Sequence, residues 1–398
     1  MLIIGAAVGV GVGATRNRGG ATAEPEDSST STDQESVPYD SPVLITSNLA
    51  AVNWTDNIGK HYRAVFWQER ETGSLMMSIK NPARADWEVV DIGKAAEDAV
   101  PRNLRFDAQN GTSIAAVAYG AANPDGSGYG VFRLVVAYTN SNGFLCAIGC
   151  GHLDGREWWF EDLMFLRYPP LVSSGSQLTA WWPRYDGSEA SGDNAYFFFE
   201  DQENQLSMIR RRTWNSGSTQ IGTASLQPGS GLVVAPVSRD WNLDKMMVLY
   251  DQSGSLVHRV LDAASGFGAN DTNNPNVLMV QDGLPSPPPK LTALSFIPQG
   301  LSVPEDSLAV MRYPNGTILV NYWNEAKSGM FPDQKWSGAS APRMQGMNIT
   351  NFTSIAMPGL DNLRFFGLTP DGLIHSYTID RQDPFTWTYE ELVNTEIS

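Results

Sequence analysis

The segment Asn362–Asp380 reads NLRFFGLTPDGLIHSYTID. An apolar run, a Pro-Asp-Gly turn and a second run with apolar residues at alternating positions predict one β-hairpin. The pattern recurs upstream as Leu308–Trp323, Met246–Leu261, Ala195–Arg211, Arg133–Gly149 and Arg63–Ile79. The turn residues are Gly73, Gly143, Asn204, Gly254, Gly316 and Gly372, spaced by 70, 61, 50, 62 and 56 residues. A small-residue strand precedes each hairpin: NLAAVNW, SIAAVAY, QLTAWWP, GLVVAPV, LTALSFI and FTSIAMP. A fourth strand is predicted after several, at Trp87–Ile92, Trp158–Leu163, Val277–Val280 and Trp387–Leu392.

Repetition at about 60 residues predicts a radial architecture rather than paired sandwiches. The expected fold is all-β: a six-bladed β-propeller of four-stranded antiparallel blades over residues 42–398. Small residues suit the innermost strands, where blades converge on the axis. The aromatic openers of the fourth strands, Trp87, Trp158 and Trp387, read as core. Of Trp181 and Trp182, one should reach a blade–blade interface, because successive strand side chains point to opposite faces.

The N-terminal residues follow another pattern. Residues 1–14 form a hydrophobic segment, with thirteen uncharged, mostly small apolar residues in Leu2–Ala14. A spanning helix needs about 20 residues. The clipped end of a membrane anchor, a signal-peptide core cut after Ala21-Thr22-Ala23, and an unimportant tail are the open readings. Residues 15–41 read as a disordered stalk, because Ala21–Asp40 carries six acids, no base and no apolar period. Six N-x-S/T sequons, at Asn53, Asn110, Asn270, Asn315, Asn348 and Asn351, lean towards the secretory pathway, with the chain at the cell surface or secreted.

Composition excludes several functions. A net charge of −16 argues against nucleic-acid binding, which needs clustered Lys and Arg. Four histidines without a ligand-spaced motif give no support for zinc, and no cofactor is implied. Cys146 and Cys150 stand about 13 Å apart in an extended strand, too far for a disulfide without a sharp bend, so free buried thiols are expected.

With its repeated strand–turn–strand units and motifs such as LRFFGLTPDGLI, residues 42–398 resemble the fungal fucose-specific lectins, six-bladed propellers with sugar sites between blades. Membrane-anchored relatives with a Ser/Thr-rich stalk would match residues 1–41 as well. The resemblance implies an Arg from each second strand, an acid or Gln from the third and an aromatic from the adjacent blade. Arg364 fits the Arg position. Arg63 and Arg133 lie ten residues before their glycines and fit if those turns are two residues longer. Tyr196, Met246 and Leu308 occupy the other equivalents. The acid position holds Met77, Ala147, Met208, His258, Val320 and Ser376, none a carboxylate. Trp323 alone fits the aromatic position, and His258 and Trp323 would line one pocket.

The candidate ligand-binding residues are therefore Arg364, Trp323, His258, Arg63, Arg133 and Ser376. A non-catalytic, lectin-like module binding fucosylated or other glycans leads the functional readings. A degenerate propeller serving as an interaction scaffold for a surface protein comes second, and a propeller glycosidase third. Most turn acids, Glu69, Glu71, Asp201, Glu203, Asp251 and Asp371, read as solvated surface.

Overall fold

The computed structural model describes residues 41–397 except 57–58, 85, 101–103, 123–128, 167–168, 183–194, 237–244, 263–276, 297–305, 325–335, 345–347 and 357–362. The hydrophobic segment, nearly all of the stalk and the sequon at Asn270 lie outside the described residues. No described helix is long and apolar enough to cross a membrane.

Six antiparallel sheets follow one another along the chain. Blade 1 holds β1 (Ala50–Thr55), β2 (His61–Gln68), β3 (Leu75–Lys80) and β4 (Trp87–Asp91). Blade 2 holds β5 (Ile114–Ala122), β6 (Tyr129–Thr139), β7 (Leu145–Cys150) and β8 (Trp158–Phe160). Blade 3 holds β9 (Thr179–Trp181), β10 (Tyr196–Glu200), β11 (Gln205–Arg210) and β12 (Thr219–Ser225). Blade 4 holds β13 (Leu232–Pro236), β14 (Lys245–Gln252), β15 (Ser255–Asp262) and β16 (Val277–Gln281). Blade 5 has β17 (Lys290–Phe296), β18 (Asp306–Arg312) and β19 (Ile318–Asn324) as its described strands, and Ser340 bridges to Val320 on the outer edge of β19. Blade 6 holds β20 (Asn351–Ala356), β21 (Leu363–Leu368), β22 (Ile374–Ile379) and β23 (Trp387–Leu392).

The first strand of each blade contacts the first strand of the next, and β20 returns to β1, so the ring closes. The expected six-bladed propeller is thus the observed fold. Two fourth strands are shorter than expected. Ile92 opens a helix, α1 (Ile92–Asp98), capped by the Asp91 carboxylate on the Lys94 N–H, and Asp162–Phe165 turns as a 3-10 helix after β8.

Strand alternation sends each blade's two faces into two different seams. In β2, Ala64 and Phe66 pack towards blade 2, whereas Val65 and Trp67 pack towards blade 6. Each seam holds its own apolar cluster. Fully burying side chains such as Trp67, Phe199 and Phe365 contributes roughly 1.5–3 kcal/mol each. Trp87, Trp158 and Trp387 are buried as expected. Trp182 stacks on Tyr119 of blade 2, while Trp181 stacks on Tyr196 on the other side of blade 3. Cys146 and Cys150 are free and buried on the face towards blade 1.

A hydroxyl repeat ties the inner strands to the hairpins. Ser47, Thr112, Ser176 and Ser230 each accept the backbone N–H of the last or nearly last second-strand residue, from Gln68, Thr139, Glu200 and Asp251 respectively. The next residue of each repeat is Asn48, Ser113, Gln177 and Gly231, with Lys290 and Asn351 at the same place in blades 5 and 6. Of these, Asn48, Ser113, Gln177 and Asn351 line a central cavity of about 150 Å³. Lys290 Nζ and Asn351 Nδ2 both donate to Asn48 Oδ1, at 2.9 Å each. Gln177 reaches past Gly231 to exchange two hydrogen bonds with the Leu291 backbone. A Cβ at Gly231 would lie 2.4 Å from the Pro289 carbonyl oxygen, so only glycine permits that approach.

Candidate functional site

The seam between blades 6 and 1 gathers the most candidate residues. Phe366 and Leu368 of β21 face blade 1, and Arg364 shares their alternation. Arg364 Nη2 donates to Glu390 Oε1 at 2.7 Å, and Ser376 Oγ donates to Glu390 Oε2 at 2.9 Å. Blade 1 forms the opposite wall. Arg63 Nη1 lies 3.3 Å from Glu390 Oε2, its Nη2 pairs with Glu391, and Lys80 Nζ lies 2.8 Å from Glu391 Oε2. Arg63 Cζ and Lys80 Nζ stand over the Trp87 ring, 5.2 and 5.7 Å from its centroid.

The Arg364 side chain is only 6% exposed, against 25% for Glu390. Its Nε and Nη1 are buried and donate to none of the described residues. Burial pulls the guanidinium below its usual range; Glu390 opposes this and Arg63 adds to it. Each donor left unfilled in such a place costs about 1–3 kcal/mol.

Arg133 occupies a second, similar seam, between blades 2 and 3. Its Cζ lies 5.4 Å from the Trp159 ring centroid, and Trp159 Nε1 donates to Glu161 Oε1 at 3.2 Å. Arg211 of blade 3 closes on the same carboxylate through Nε and Nη2, at 3.1 and 3.0 Å.

Two expectations are corrected here. Arg63 and Arg133, equally distant from their glycines, face opposite ways. Gln68 pairs with Leu75 across six turn residues, whereas Thr139 pairs with Leu145, and Leu368 with Ile374, across five. The turn after Arg133 is therefore no longer than the one after Arg364. Arg133 sits two residues earlier on its strand, on the matching face. The one extra residue after Arg63 turns it back towards blade 6.

A further finding concerns the carboxylate. The third-strand positions hold no carboxylate, as the sequence indicates, but acids do stand in these two seams, Glu390 on β23 and Glu161 just after β8. The missed signal was W-x-x-E, present as Trp158-Trp159-Phe160-Glu161 and Trp387-Thr388-Tyr389-Glu390. Three residues after an inward-facing Trp, alternation returns a side chain to the opposite seam. Blade 1 has Val90 at this place.

His258 and Trp323 do meet, in the seam between blades 4 and 5, with ring centroids 5.6 Å apart and nearly perpendicular. Trp336 completes the group, donating from Nε1 to His258 Nδ1 at 3.3 Å. All three are buried, and His258 Nε2 has no partner among the described residues. Burial pulls the imidazole down to about 4, so it is neutral near pH 7. Met246 does not stand in for the arginine there; it packs towards blade 3. Met247 faces blade 5, because Asp251 pairs with Leu256 across a four-residue turn. This seam is filled by its own aromatic side chains.

Two turn acids also depart from expectation. Glu69 and Asp251 are buried, at 6% and 1% exposure, rather than solvated. The described lining of the central cavity contains no carboxylate, so it lacks the acid pair that glycoside hydrolysis needs. Among the described residues no cluster suited to a metal ion occurs.

No family model matches the chain, and no curated protein matches it in sequence. Solved structures do match in fold. The lectin of Aleuria aurantia, solved with alpha-methyl-L-fucoside, superposes with a TM-score of 0.62 at 14% identity, over 90% of this chain and 98% of that one. AofleA from Arthrobotrys oligospora, in a mutant form, gives 0.60 at 13% identity, over 90% of each chain. An alpha-L-arabinanase of Penicillium chrysogenum gives 0.50 at 11% identity, over 86% of this chain and 97% of that one. The first two share the six-bladed architecture across nearly their whole length.

Proposed function

We propose that the chain is a non-catalytic carbohydrate-binding propeller whose working site is the seam between blades 6 and 1. The observation that carries this reading is Arg364, a buried guanidinium beside Glu390 and Ser376 with Nε and Nη1 unfilled. A sugar hydroxyl or ring oxygen accepts from such donors, a carboxylate accepts hydroxyl protons, and an indole covers a C–H face. Arg364, Glu390 and Trp87 supply these three chemistries in one seam. Arg63 and Lys80 lie over Trp87 and must swing aside for a sugar to stack there. Fold neighbours solved with fucosides support the ligand class, and the seam between blades 2 and 3 is a weaker second site because Arg211 already occupies its acid.

A scaffold reading draws on the seam between blades 4 and 5, where His258, Trp323 and Trp336 are buried against one another. A glycan-array screen of the full chain separates the two. Binding that alpha-methyl-L-fucoside competes away, and that Arg364→Ala and Glu390→Gln each weaken at least tenfold, is the expected result. Binding that ignores fucose keeps the site and changes the sugar. A blank array from folded protein overturns the lectin reading in favour of the scaffold.

A further inference from the structure

We propose that the joint between blades 3 and 4 is a pH-sensitive latch, in which the buried carboxyl of Glu200 is protonated and donates a hydrogen bond that ionisation removes. At the corresponding joint between blades 1 and 2 an amide takes this place. There Gln68 accepts the Gly111 N–H on Oε1 at 2.7 Å and donates from Nε2 to the carbonyls of Gly73 and Gln109, at 2.8 and 3.1 Å. An amide suits the place because one end accepts and the other donates.

Blade 3 repeats this joint over a turn one residue shorter, with Glu200 paired to Leu206 where Gln68 pairs with Leu75. Glu200 ends β10 as Gln68 ends β2, and its N–H is received by the Ser176 hydroxyl as that of Gln68 is by Ser47. Asn204 corresponds to Gly73, both with left-handed φ, at 56° and 72°. Gln227, Gly229 and Ser230 correspond to Gln109, Gly111 and Thr112. Glu200 Oε2 accepts the N–H groups of Gly229 and Ser230 at 3.1 and 3.2 Å, taking the part of the amide oxygen. Oε1 is thereby left in the part of the amide nitrogen, which in blade 1 points at carbonyl oxygens. Among the described residues that atom is buried and has no hydrogen-bond partner of good geometry. A carboxylate oxygen would face carbonyl dipoles there; a carboxylic O–H donates to them as the amide does.

The surroundings favour the neutral acid. Glu200 has no exposed surface, and among the described residues no ion pair reaches it. Asp201 follows it in the chain and Asp251 stands at the same place in blade 4. The other facing groups are the neutral hydroxyls of Ser173, Ser176 and Ser230. Burial raises the Glu200 carboxyl to about 7, against the backbone N–H groups of Ser230 and Gly229 and the nearby Ser173 hydroxyl, with Asp201 adding to the rise. The folded value lies above the ordinary 4.5, so the latch is complete below that pH and is lost as pH rises through about 7.

Glu200→Gln tests this directly, because the variant restores the amide already accommodated in blade 1. The wild type and variant are melted at about pH 5 and about pH 8.5, values that bracket the transition. Equal midpoints at the lower pH and a higher midpoint for Glu200→Gln at the upper pH are expected. Wild-type protein should also show the infrared carbonyl band of a buried carboxylic acid, fading on passage through neutral pH and absent from the variant. Melting curves offset equally at both pH values, a missing band, or a Glu200→Gln protein that fails to fold would each overturn the proposal.

Discussion

Arg63 in the first blade and Glu390 in the last face each other across the line where the ring closes, with Arg63 Nη1 3.3 Å from Glu390 Oε2. Glu390 also holds Arg364 and Ser376, so one carboxylate joins the chain's first and last sheets. Removing it strands Arg364 in a buried site, which costs about 3–5 kcal/mol when a buried pair loses one member. Arg63→Met leaves both acids with other partners and should cost roughly 1–3 kcal/mol. Urea unfolding of Glu390→Ala, Arg63→Met and the double variant checks the order and the coupling. Strictly additive costs would show that the two residues do not act together.

The imidazole of His258 sets an acid limit to stability. Its folded value of about 4 lies below the ordinary 6.5, so the unfolded chain binds the proton more readily. The stabilisation is complete above about 6.5 and is lost as pH falls through about 4. A shift of this size corresponds to about 3 kcal/mol. His258→Phe should flatten the decline in chemical denaturation between those pH values, and an unchanged slope would mean another group is responsible.

Trp323 tests whether that seam is core. Trp323→Ala should cost roughly 3–5 kcal/mol, as expected for deleting a buried aromatic, while leaving any glycan affinity of the folded protein unchanged. A large loss of affinity without loss of stability would return the seam to the list of binding sites.

Glycosylation should follow burial. Asn351 is buried and donates from Nδ2 to the Ser47 carbonyl and Asn48 Oδ1, and Asn53 is buried in β1. Asn110, Asn315 and Asn348 are exposed. Peptide mapping after expression in a glycosylating host should find modification confined, among these five, to the exposed three. A glycan on Asn351 of folded protein would be incompatible with its two Nδ2 hydrogen bonds.

The thiols should be inert until the protein unfolds. Burial pushes Cys146 and Cys150 each up to about 12, and neutral thiols are poor nucleophiles. Alkylation should track denaturant-induced unfolding, and rapid labelling of native protein would contradict the burial.

Six hairpins and their small-residue inner strands were legible because strand period and turn chemistry are local properties. Site geometry was less so. Counting from turn glycines placed Arg63 beside Arg133 and chose Met246 over Met247, since turns of four, five and six residues look alike in sequence but reverse the outward face. Glu390 and Glu161 are not legible because, in each W-x-x-E run, only the core tryptophan has a local signature. The burial of Glu69 and Asp251 depends on the neighbouring loops, which no turn motif encodes.

Gly231 makes the six repeats unequal. Its missing side chain lets Gln177 of blade 3 reach Leu291 of blade 5 over the top of blade 4, so two non-adjacent blades are braced directly. A symmetrised chain made of six copies of any one repeat would give every blade a glycine there or none. With none, the brace is sterically barred; with six, no Gln remains to form it. The molecule therefore resists reduction to a single repeating unit, and blade 4 cannot be exchanged for a sister blade without carrying its glycine along.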